Sequence, residues 1–446
     1  MKRLLVTNRG EIAMRIIRTA RQLGVETVLA CSAEDKNSLP TKIADITVCI
    51  GSAPAAKSYL NQEVILQTAK SYGCDAIHPG YGFLSENAEF ASKCNNAGIE
   101  FIGPSHSIIE LMGDKMSARK LMKNNGISVV PGSDDNVATL DEAIAVADMV
   151  GYPILIKASA GGGGKGMRKA CSESELIQFF SEARTEAMNA FGNDQVYIEK
   201  YIENPRHIEV QILGDKHGNV IHLGERDCSI QRKNQKMIEE SPAPLLSDDI
   251  RNAIHNEAIK VAKIVNYDSA GTVEFVYACD GSFYFIEMNT RIQVEHPVTE
   301  MVCGIDIVRE QMMIADGNEI RYTQSDIEFN GHSIECRIVA EDSENGFKPC
   351  PGVVKEFRIP CGCGVRVETA LFNGEKVSPW YDSMIAKIIT YAPVREESIK
   401  KMRTALDELV VKGVHTNISL LKDMIDSPKY CEGDIDTAFI ESFIKQ

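Results

Sequence analysis

The sequence has no apolar run approaching the ~18 residues that a membrane-spanning helix requires, so it contains no membrane span. Its start, Met1-Lys-Arg-Leu-Leu-Val-Thr-Asn-Arg9, is charged like a secretory leader, but the apolar part stops after Leu4, Leu5 and Val6; a cytoplasmic chain is expected. Cation excess is also missing. Lys plus Arg number 48 against 63 Asp plus Glu, a formal net charge of −15, which disfavours a nucleic-acid partner. Paired Cys-x-x-Cys spacing is absent: the 13 cysteines are scattered and odd in number, and even the group Cys350, Cys361, Cys363 lacks a zinc-site pattern. They are read as reduced structural thiols. No Gly-x-Gly-x-x-Gly follows the first apolar segment, which disfavours a dinucleotide fold, and no Gly-Lys-Ser/Thr ends a glycine loop, which excludes a Walker A site.

What is present is a soluble-type composition, 44% hydrophobic in 446 residues, enough for about three domains at ~150 residues each. Residues 1–113 alternate short strands and helices: strand Leu4–Thr7, helix Glu11–Leu23 with Ile12, Ile16 and Ala20 on one side, strand Val25–Ala30, then Gln62–Tyr72, Asp75–Ile77, Glu86–Asn96 and Glu100–Ile102. Such alternation predicts a doubly wound parallel sheet with ligands at the carboxyl ends of its strands, where His78-Pro-Gly-Tyr-Gly-Phe-Leu84 falls. Helices are expected at Asp114–Asn125 and Leu140–Val150. The strand ending at Lys157 then leads into Gly161–Gly164, Lys165, Gly166 and Met167. This glycine run joins two strand-like segments and is bracketed by Lys157, Lys165 and Arg168, so a mobile phosphate-covering lid is expected in place of a linker. Strands are read at His207–Leu213, Asn219–Gln231, Gly271–Ala278 and Ser282–Met288. From Gly331 the chain is strand-rich, at His332–Ala340, Val353–Ile359 and Gly364–Glu368, giving an α+β C-terminal part with a mixed β-sheet, a helix at Arg395–Val411 and another from His415.

The densest chemistry lies in Tyr284–Pro297. After the apolar Phe283, Phe285 and Ile286, the residues Glu287, Asn289, Arg291, Gln293 and Glu295 occupy every second position, an arrangement that predicts one polar face of an extended segment. Two carboxylates and an amide oxygen suit Mg2+, and a guanidinium suits a planar oxyanion. A hairpin about Asp280-Gly281 sets Glu274 level with Glu287, a paired-carboxylate metal site. Spacing alone makes Arg337, alternating with Glu335, a structural ion-pair partner. Gln195–Ile202 is read as a strand that could present Glu199 and Lys200 to an adenine edge.

Taken together, these stretches resemble the ATP-grasp enzymes and, among them, the biotin carboxylase family. The resemblance rests on Thr7–Ala13, Ala76–Asn87, Phe101–Pro104, Met112–Lys115, Lys157 with its glycines, Glu199–His207, Glu225–Ser229, Glu287–Pro297 and Glu335-Cys-Arg337. It implies an N-terminal α/β domain (1–113), a helical connector (114–130), an ATP-grasp lid (131–203) and a C-terminal domain (204–446). It implies ATP, Mg2+ (with Mn2+ as the alternative ion), bicarbonate, and biotin as a carrier-bound substrate not attached to this chain. ATP would meet Lys115, Lys157, Gly162, Gly163, Gly164, Gly166, Met167, Glu199, Lys200, Ile202, His207, Gln231 and Lys236. Metal would be held by Glu274 and Glu287, supported by Asn289. Bicarbonate and biotin would lie by Tyr81, Arg291, Gln293, the Val294 backbone, Glu295 and Arg337. Glu295 would deprotonate bicarbonate for attack on the γ-phosphate, and Arg337 would stabilise the biotin enolate. Catalysis would thus rest on Glu295, Arg337, Arg291 and Lys236.

The resemblance also implies a homodimer, with a biotin carboxyl carrier protein and carboxyltransferase subunits as partners, and acetyl-CoA carboxylase of fatty acid biosynthesis as the first context. A pyruvate or other 2-oxoacid carboxylase uses the same half-reaction. One departure stands out: Asn234 lies where the family often has His, and Asn cannot carry charge, so it is left out of the phosphate set. Two rivals are set aside. A carboxylate–amine ligase leaves Arg291, Gln293, Glu295 and Arg337 unexplained, and a non-catalytic nucleotide-binding protein ordinarily lacks one of Glu274, Glu287 and Glu295.

Overall fold

A computed structural model describes residues 1–159 and 167–444. The N-terminal part builds a five-stranded parallel sheet from β1 (Arg3–Val6), β2 (Glu26–Ser32), β3 (Ile46–Gly51), β4 (Ala76–His78) and β5 (Glu100–Phe101), ordered β3-β2-β1-β4-β5. The strand order reverses between β1 and β4, and ligands of open α/β sheets enter at such a crevice. Asn8, just after β1, closes that mouth: its side-chain amide donates to the carbonyls of Pro79 (2.6 Å) and Tyr81 (2.8 Å) beyond β4. Gly80 is needed there. Its φ is +65°, and a Cβ would meet Ile12 at 3.0 Å and Asn8 at 3.1 Å.

The helix Gly10–Gln22 buries Ile12, Ile16 and Ile17 against β1 and β4, each worth ~1.5–3 kcal/mol of transfer free energy. The same apolar cluster takes in Ile221, Ile292, Ile307 and Val308, so the N-terminal sheet shares its core with the C-terminal part and the two hold one geometry. The lid is a separate small sheet, β6 (Ile154–Ala158), β7 (Met167–Ala170) and β8 (Val196–Lys200), ordered β7-β6-β8. Helices Leu140–Val150 and Glu173–Phe191 cover it around Ala143, Ile154, Ile156, Leu176 and Ile198. Thr139 and Glu142 form a reciprocal cap that starts the first of these helices where its sequence predicts. The expected glycine loop does join two antiparallel strands, β6 and β7; Gly162, Gly163, Gly164 and Gly166 lie outside the described residues.

The platform of the molecule is an eight-stranded sheet. Its strands are β9 (Arg206–Gly214), β10 (Val220–Arg232), β11 (Gln235–Ser241), β12 (Ala270–Tyr277), β13 (Phe283–Asn289), β14 (His332–Val339), Val365–Thr369 and Met384–Ala392. The order is β13-β12-β9-β10-β11-β14, followed by Met384–Ala392 and Val365–Thr369. Expected to be mixed, the sheet pairs antiparallel at every strand–strand contact. Two strands without an expectation, β11 and Met384–Ala392, complete it, and the single strand expected over Val353–Ile359 is split into Gly352–Val353 and Glu356–Arg358.

The turn between β10 and β11 consists of Lys233 (φ +48°) and Asn234 (φ +63°), with Arg232 paired to Gln235. Two positive-φ residues in a two-residue hairpin define a type I′ turn, a place that suits Asn. Asn234 is exposed there. Among the described residues no helix is long and apolar enough to cross a membrane.

Candidate active site

The site forms where the platform sheet meets the segment after β13. Register places Glu274 on β12 directly opposite Glu287 on β13, as the Asp280-Gly281 hairpin predicts. The expected run of one extended face to Glu295 does not continue. Strand β13 ends at Asn289; residues 290–295 bend, and Glu295 becomes the N-cap of helix His296–Cys303 with φ −81° and ψ 7°. Pro297 explains the break, since it suits the first turn of a helix and cannot extend a ladder. The bend keeps the residues together by another route: the side-chain amides of Asn289 and Gln293 each donate to Glu274 Oε1 at 2.7 Å.

Lys236, from the unexpected strand β11, reaches into this group. Its Nζ lies 2.5 Å from Glu209, 2.6 Å from Glu295 and 3.3 Å from Glu274. Burial lowers the ammonium, but the three carboxylates outweigh it and hold the group well above its ordinary value. Glu295, 2% exposed, is also met by Arg337 at 3.0 Å. Burial pushes the Glu295 and Glu274 carboxyls up; Lys236, with Arg337 at Glu295 and His207 at Glu274, overrides it and holds both well below the usual range. His207 Nε2 lies 2.9 Å from Glu274, and its pKa is raised by that carboxylate against burial. Arg337 is an ion-pair partner, as its spacing indicates, but of two carboxylates at once: Nε donates to Glu239 at 2.5 Å while Nη2 holds Glu295.

Arg226 lies beneath them all, 0% exposed. Its guanidinium donates to Glu209 (2.6 Å), Gln211 (2.8 Å), Thr272 (3.1 Å), Gln293 (2.8 Å) and Thr299 (2.9 Å). It thereby fixes Glu209, which orients Lys236, and Gln293, which faces Glu274. Sequence reading gave it no role, although Glu209 and Gln211 alternate along β9 opposite it and were a usable signal. Lys387 was missed as well. It is fully buried and joins the Val294 carbonyl (2.7 Å) to Glu11 (3.1 Å), which in turn accepts from the Tyr81 hydroxyl. Through this chain Tyr81 of the N-terminal crevice is tied to the Val294 backbone.

The remaining expected residues are placed as follows. Arg291 donates to Glu86 at 2.8 Å and to Asn289 at 3.1 Å, so it stands beside the carboxylate pair. Lys115 pairs with Glu287 at 2.6 Å. In the lid, Lys157 pairs with Glu199 at 2.9 Å, with Arg119 at 3.5 Å on the other oxygen. Lys200 was expected at an adenine edge, but its Nζ donates to the Gly151 and Tyr152 carbonyls, both 3.0 Å away, and so braces the end of helix Leu140–Val150. Ile202 lines a cavity of about 380 Å³ with Pro131, Pro153 and Tyr284. Gln231 is paired in register with Lys236.

Three cations thus converge on a rank of hard oxygen donors: Lys236, Arg291 and Lys115 around Glu274, Glu287 and Glu295. An ATP-grasp ligase has this layout, with metal-type carboxylates on one sheet and a separate small three-stranded sheet carrying Lys157. The sequence relationships are specific. The biotin carboxylase N-terminal domain model matches residues 1–109, the carbamoyl-phosphate synthase L chain ATP-binding domain model residues 114–323, and the biotin carboxylase C-terminal domain model residues 335–442. The chain is 50% identical over 444 residues to Biotin carboxylase 1 of Bacillus subtilis, covering 99% of both chains. It is 48% identical over 441 residues to one of the pyruvate carboxylase subunits of Methanothermobacter thermautotrophicus, covering 99% of this chain and 90% of that one. It superposes with a TM-score of 0.96, at 49% identity over 99% of this chain and 97% of the other, on the biotin carboxylase domain of the Hydrogenobacter thermophilus 2-oxoglutarate carboxylase, solved as a dimer with MgADP, ADP and bicarbonate. The chain belongs to the biotin carboxylase family and is an ATP-dependent carboxylating ligase.

Proposed function

We propose that this chain uses ATP and Mg2+ to carboxylate carrier-bound biotin with bicarbonate, with Glu295 as the base and Arg337 as the enolate-stabilising group. The observation that carries the reading is the placing of buried Glu295 between Lys236 at 2.6 Å and Arg337 at 3.0 Å. A carboxylate held well below its usual range is a weak base, and the best general base has a pKa near the working pH. Anionic substrates correct this. Phosphate oxygens that draw Lys236 away leave Glu295 with Arg337 alone, so its proton affinity rises and it can take the bicarbonate proton; the anionic ureido oxygen, which forms later, then draws Arg337.

Glu274, Glu287 and Asn289 are oxygen donors that fit Mg2+ or Mn2+, and Lys115 and His207, which now pair with Glu287 and Glu274, would be free to meet phosphate with the ion in place. The ion, when bound, would supply charge neutralisation at the transferring phosphoryl group. Arg291 and Gln293 orient bicarbonate, and Gln293 is itself held by Arg226. Lys157 and Glu199 sit together on neighbouring strands β6 and β8, where the nucleotide would lie. Bicarbonate would attack the γ-phosphorus of ATP and expel ADP to give carboxyphosphate, which breaks down to CO2 and phosphate. The phosphate takes the biotin N1′ proton, and the resulting enolate, held by Arg337, attacks CO2 in a site that must exclude water.

For the acyl acceptor, acetyl-CoA carboxylase is the first reading; relatives that serve pyruvate and 2-oxoglutarate carboxylases keep those as the second. Carrier and carboxyltransferase subunits are the partners in either case, and a homodimer is the proposed state, since the Hydrogenobacter domain was solved as one. The test is ATP cleavage by the purified chain with and without bicarbonate and biotin, together with identification of co-purifying proteins. ATP cleavage independent of bicarbonate would sink the assignment, and the co-purified carboxyltransferase names the acceptor.

A further inference from the structure

Below Arg337 lie two glutamates that the proposed reaction does not use. Glu239 on β11 and Glu335 on β14 are direct register partners, so their side chains leave the sheet on one face, with ~4.5–5.5 Å between Cβ atoms. Both are fully buried. Among the described residues, neither oxygen of Glu335 nor Oε2 of Glu239 has a hydrogen-bond partner. The nearby cations are committed elsewhere: Arg337 to Glu239 Oε1 and Glu295, and Lys387 to Val294 and Glu11. With Glu239 held on one oxygen by Arg337 and Glu335 without a partner, two carboxylates on neighbouring strands in a dry interior repel and are poorly solvated, whereas a single proton on the pair relieves the repulsion.

We infer that Glu239 and Glu335 share one proton at neutral pH and act as a positioning pair that sets how strongly Glu239 holds Arg337, and so how firmly Arg337 stays on Glu295. The functional half of this rests on the roles proposed above for Glu295 and Arg337. Charge around the pair agrees. Burial pushes Glu335 well above its ordinary 4.5, against Lys387 and Arg337 and assisted by Glu239 and Glu295. Burial likewise pushes Glu239 up to about 7, against Arg337 and Lys236. Tyr81 faces the pair from the N-terminal crevice, and burial together with Glu11 raises its hydroxyl well above the ordinary value, so it stays neutral.

Three measurements on the intact chain test this. Infrared titration of the wild type should show a protonated-carboxyl C=O band that vanishes as pH rises above neutral and is missing from Glu335→Gln. Stability supplies the second. A carboxyl with a raised folded-state pKa takes up a proton on folding, so its contribution falls as pH climbs from the ordinary 4.5 through the folded value. Glu335→Gln, a mimic of the neutral acid, should therefore match or exceed wild-type Tm at pH 7, with a gap that widens from pH 4.5 upward. Third, the alkaline limb of biotin carboxylation should move in Glu335→Gln. Should that variant fail to fold, the infrared titration of the wild type still decides the shared proton, and Glu335→Asp, which keeps an ionisable group at that position, should displace both the band and the alkaline limb.

Absence of the band, or a Glu335→Gln Tm lowered equally at every pH, would overturn the shared proton. A band and a widening gap with an unmoved carboxylation profile would overturn the positioning role. If the wild-type chain carboxylates no biotin, the function proposed above fails, while the infrared and stability results still decide the pair.

Discussion

Lys236 Nζ and Glu295 Oε1 lie 2.6 Å apart, on elements separated by 59 positions, and each is held by a second partner of opposite charge. Glu209 anchors the lysine and Arg337 anchors the carboxylate. On the assignment proposed above, the base is therefore stored in an inactive, doubly neutralised form. This is useful in a site that must not ionise bicarbonate before the phosphoryl donor has arrived, because both cations that silence Glu295 are ones that anionic substrates attract.

Glu295→Gln should lower bicarbonate-dependent ATP cleavage and biotin carboxylation together, by ~10²–10⁴-fold, the range that a positioned general base supplies. The glutamine keeps contact with Lys236 and Arg337, and each cation keeps another carboxylate partner, Glu209 or Glu239. Tm should therefore stay near that of the wild type. Steady-state rates of both half-reactions, with a thermal melt, check it.

Arg337→Lys should separate the half-steps. A lysine retains positive charge between Glu239 and Glu295 but loses the planar fork that now reaches both. Carboxylation of biotin should fall by a larger factor than bicarbonate-dependent ATP cleavage, with Tm little changed. Parallel losses with a lowered Tm would mean that Arg337 is only a structural ion pair.

Much of this was legible in the sequence, and the exceptions share a cause. The alternating elements of the first hundred residues follow from helix and strand periodicity, and the Glu274–Glu287 pairing from an Asp-Gly turn between two apolar runs. Strand β11 was not legible. Its Glu239 and Glu240 look like solvent-facing charges, and they are buried because Arg337 and Arg395, 98 and 155 positions away, meet them there. Arg226 was missed although Glu209 and Gln211 alternate opposite it on β9; what its strand position does not reveal is its reach to Thr272 on β12 and to Thr299 on helix His296–Cys303. The Glu287–Glu295 alternation picked out residues that do gather in one place but gave them the wrong backbone, since a period of two is indifferent to whether the chain bends after Asn289.

Arg226→Met should cost both stability and bicarbonate affinity. It removes five hydrogen bonds from a fully buried centre and leaves Glu209 with Lys236 as its remaining close cation. Breaking a buried ion pair typically costs about 3–5 kcal/mol. Gln293, released from the guanidinium, should raise KM for bicarbonate more than KM for ATP. A denaturant midpoint and the two KM values measured on the same preparation decide it. Equal rises in both would assign Arg226 to the fold alone.

Helix Arg395–Glu408 offers a pH test with a defined sign. Glu240, opposite in direction to Glu239 on the same strand, receives Arg395 at 2.7 and 3.0 Å and His332 at 2.7 Å, tying that helix to the sheet. Burial raises the Glu240 carboxyl, and Arg395 with His332 overrides this and brings it to about 2, from an ordinary 4.5. A folded-state value below the unfolded one means that the unfolded chain binds more protons. The stabilisation is therefore complete above pH 4.5 and is lost as pH falls from there through about 2. A shift of this size corresponds to something on the order of 3 kcal/mol. Glu240→Gln should be less stable than wild type by up to that amount at pH 7, with the difference shrinking as the pH is taken from 4.5 toward 2. Urea unfolding of both proteins at pH 7, 4.5 and 3 measures it. A difference that is constant across the three pH values would show that the glutamine loses packing or geometry and that the carboxylate charge contributes nothing.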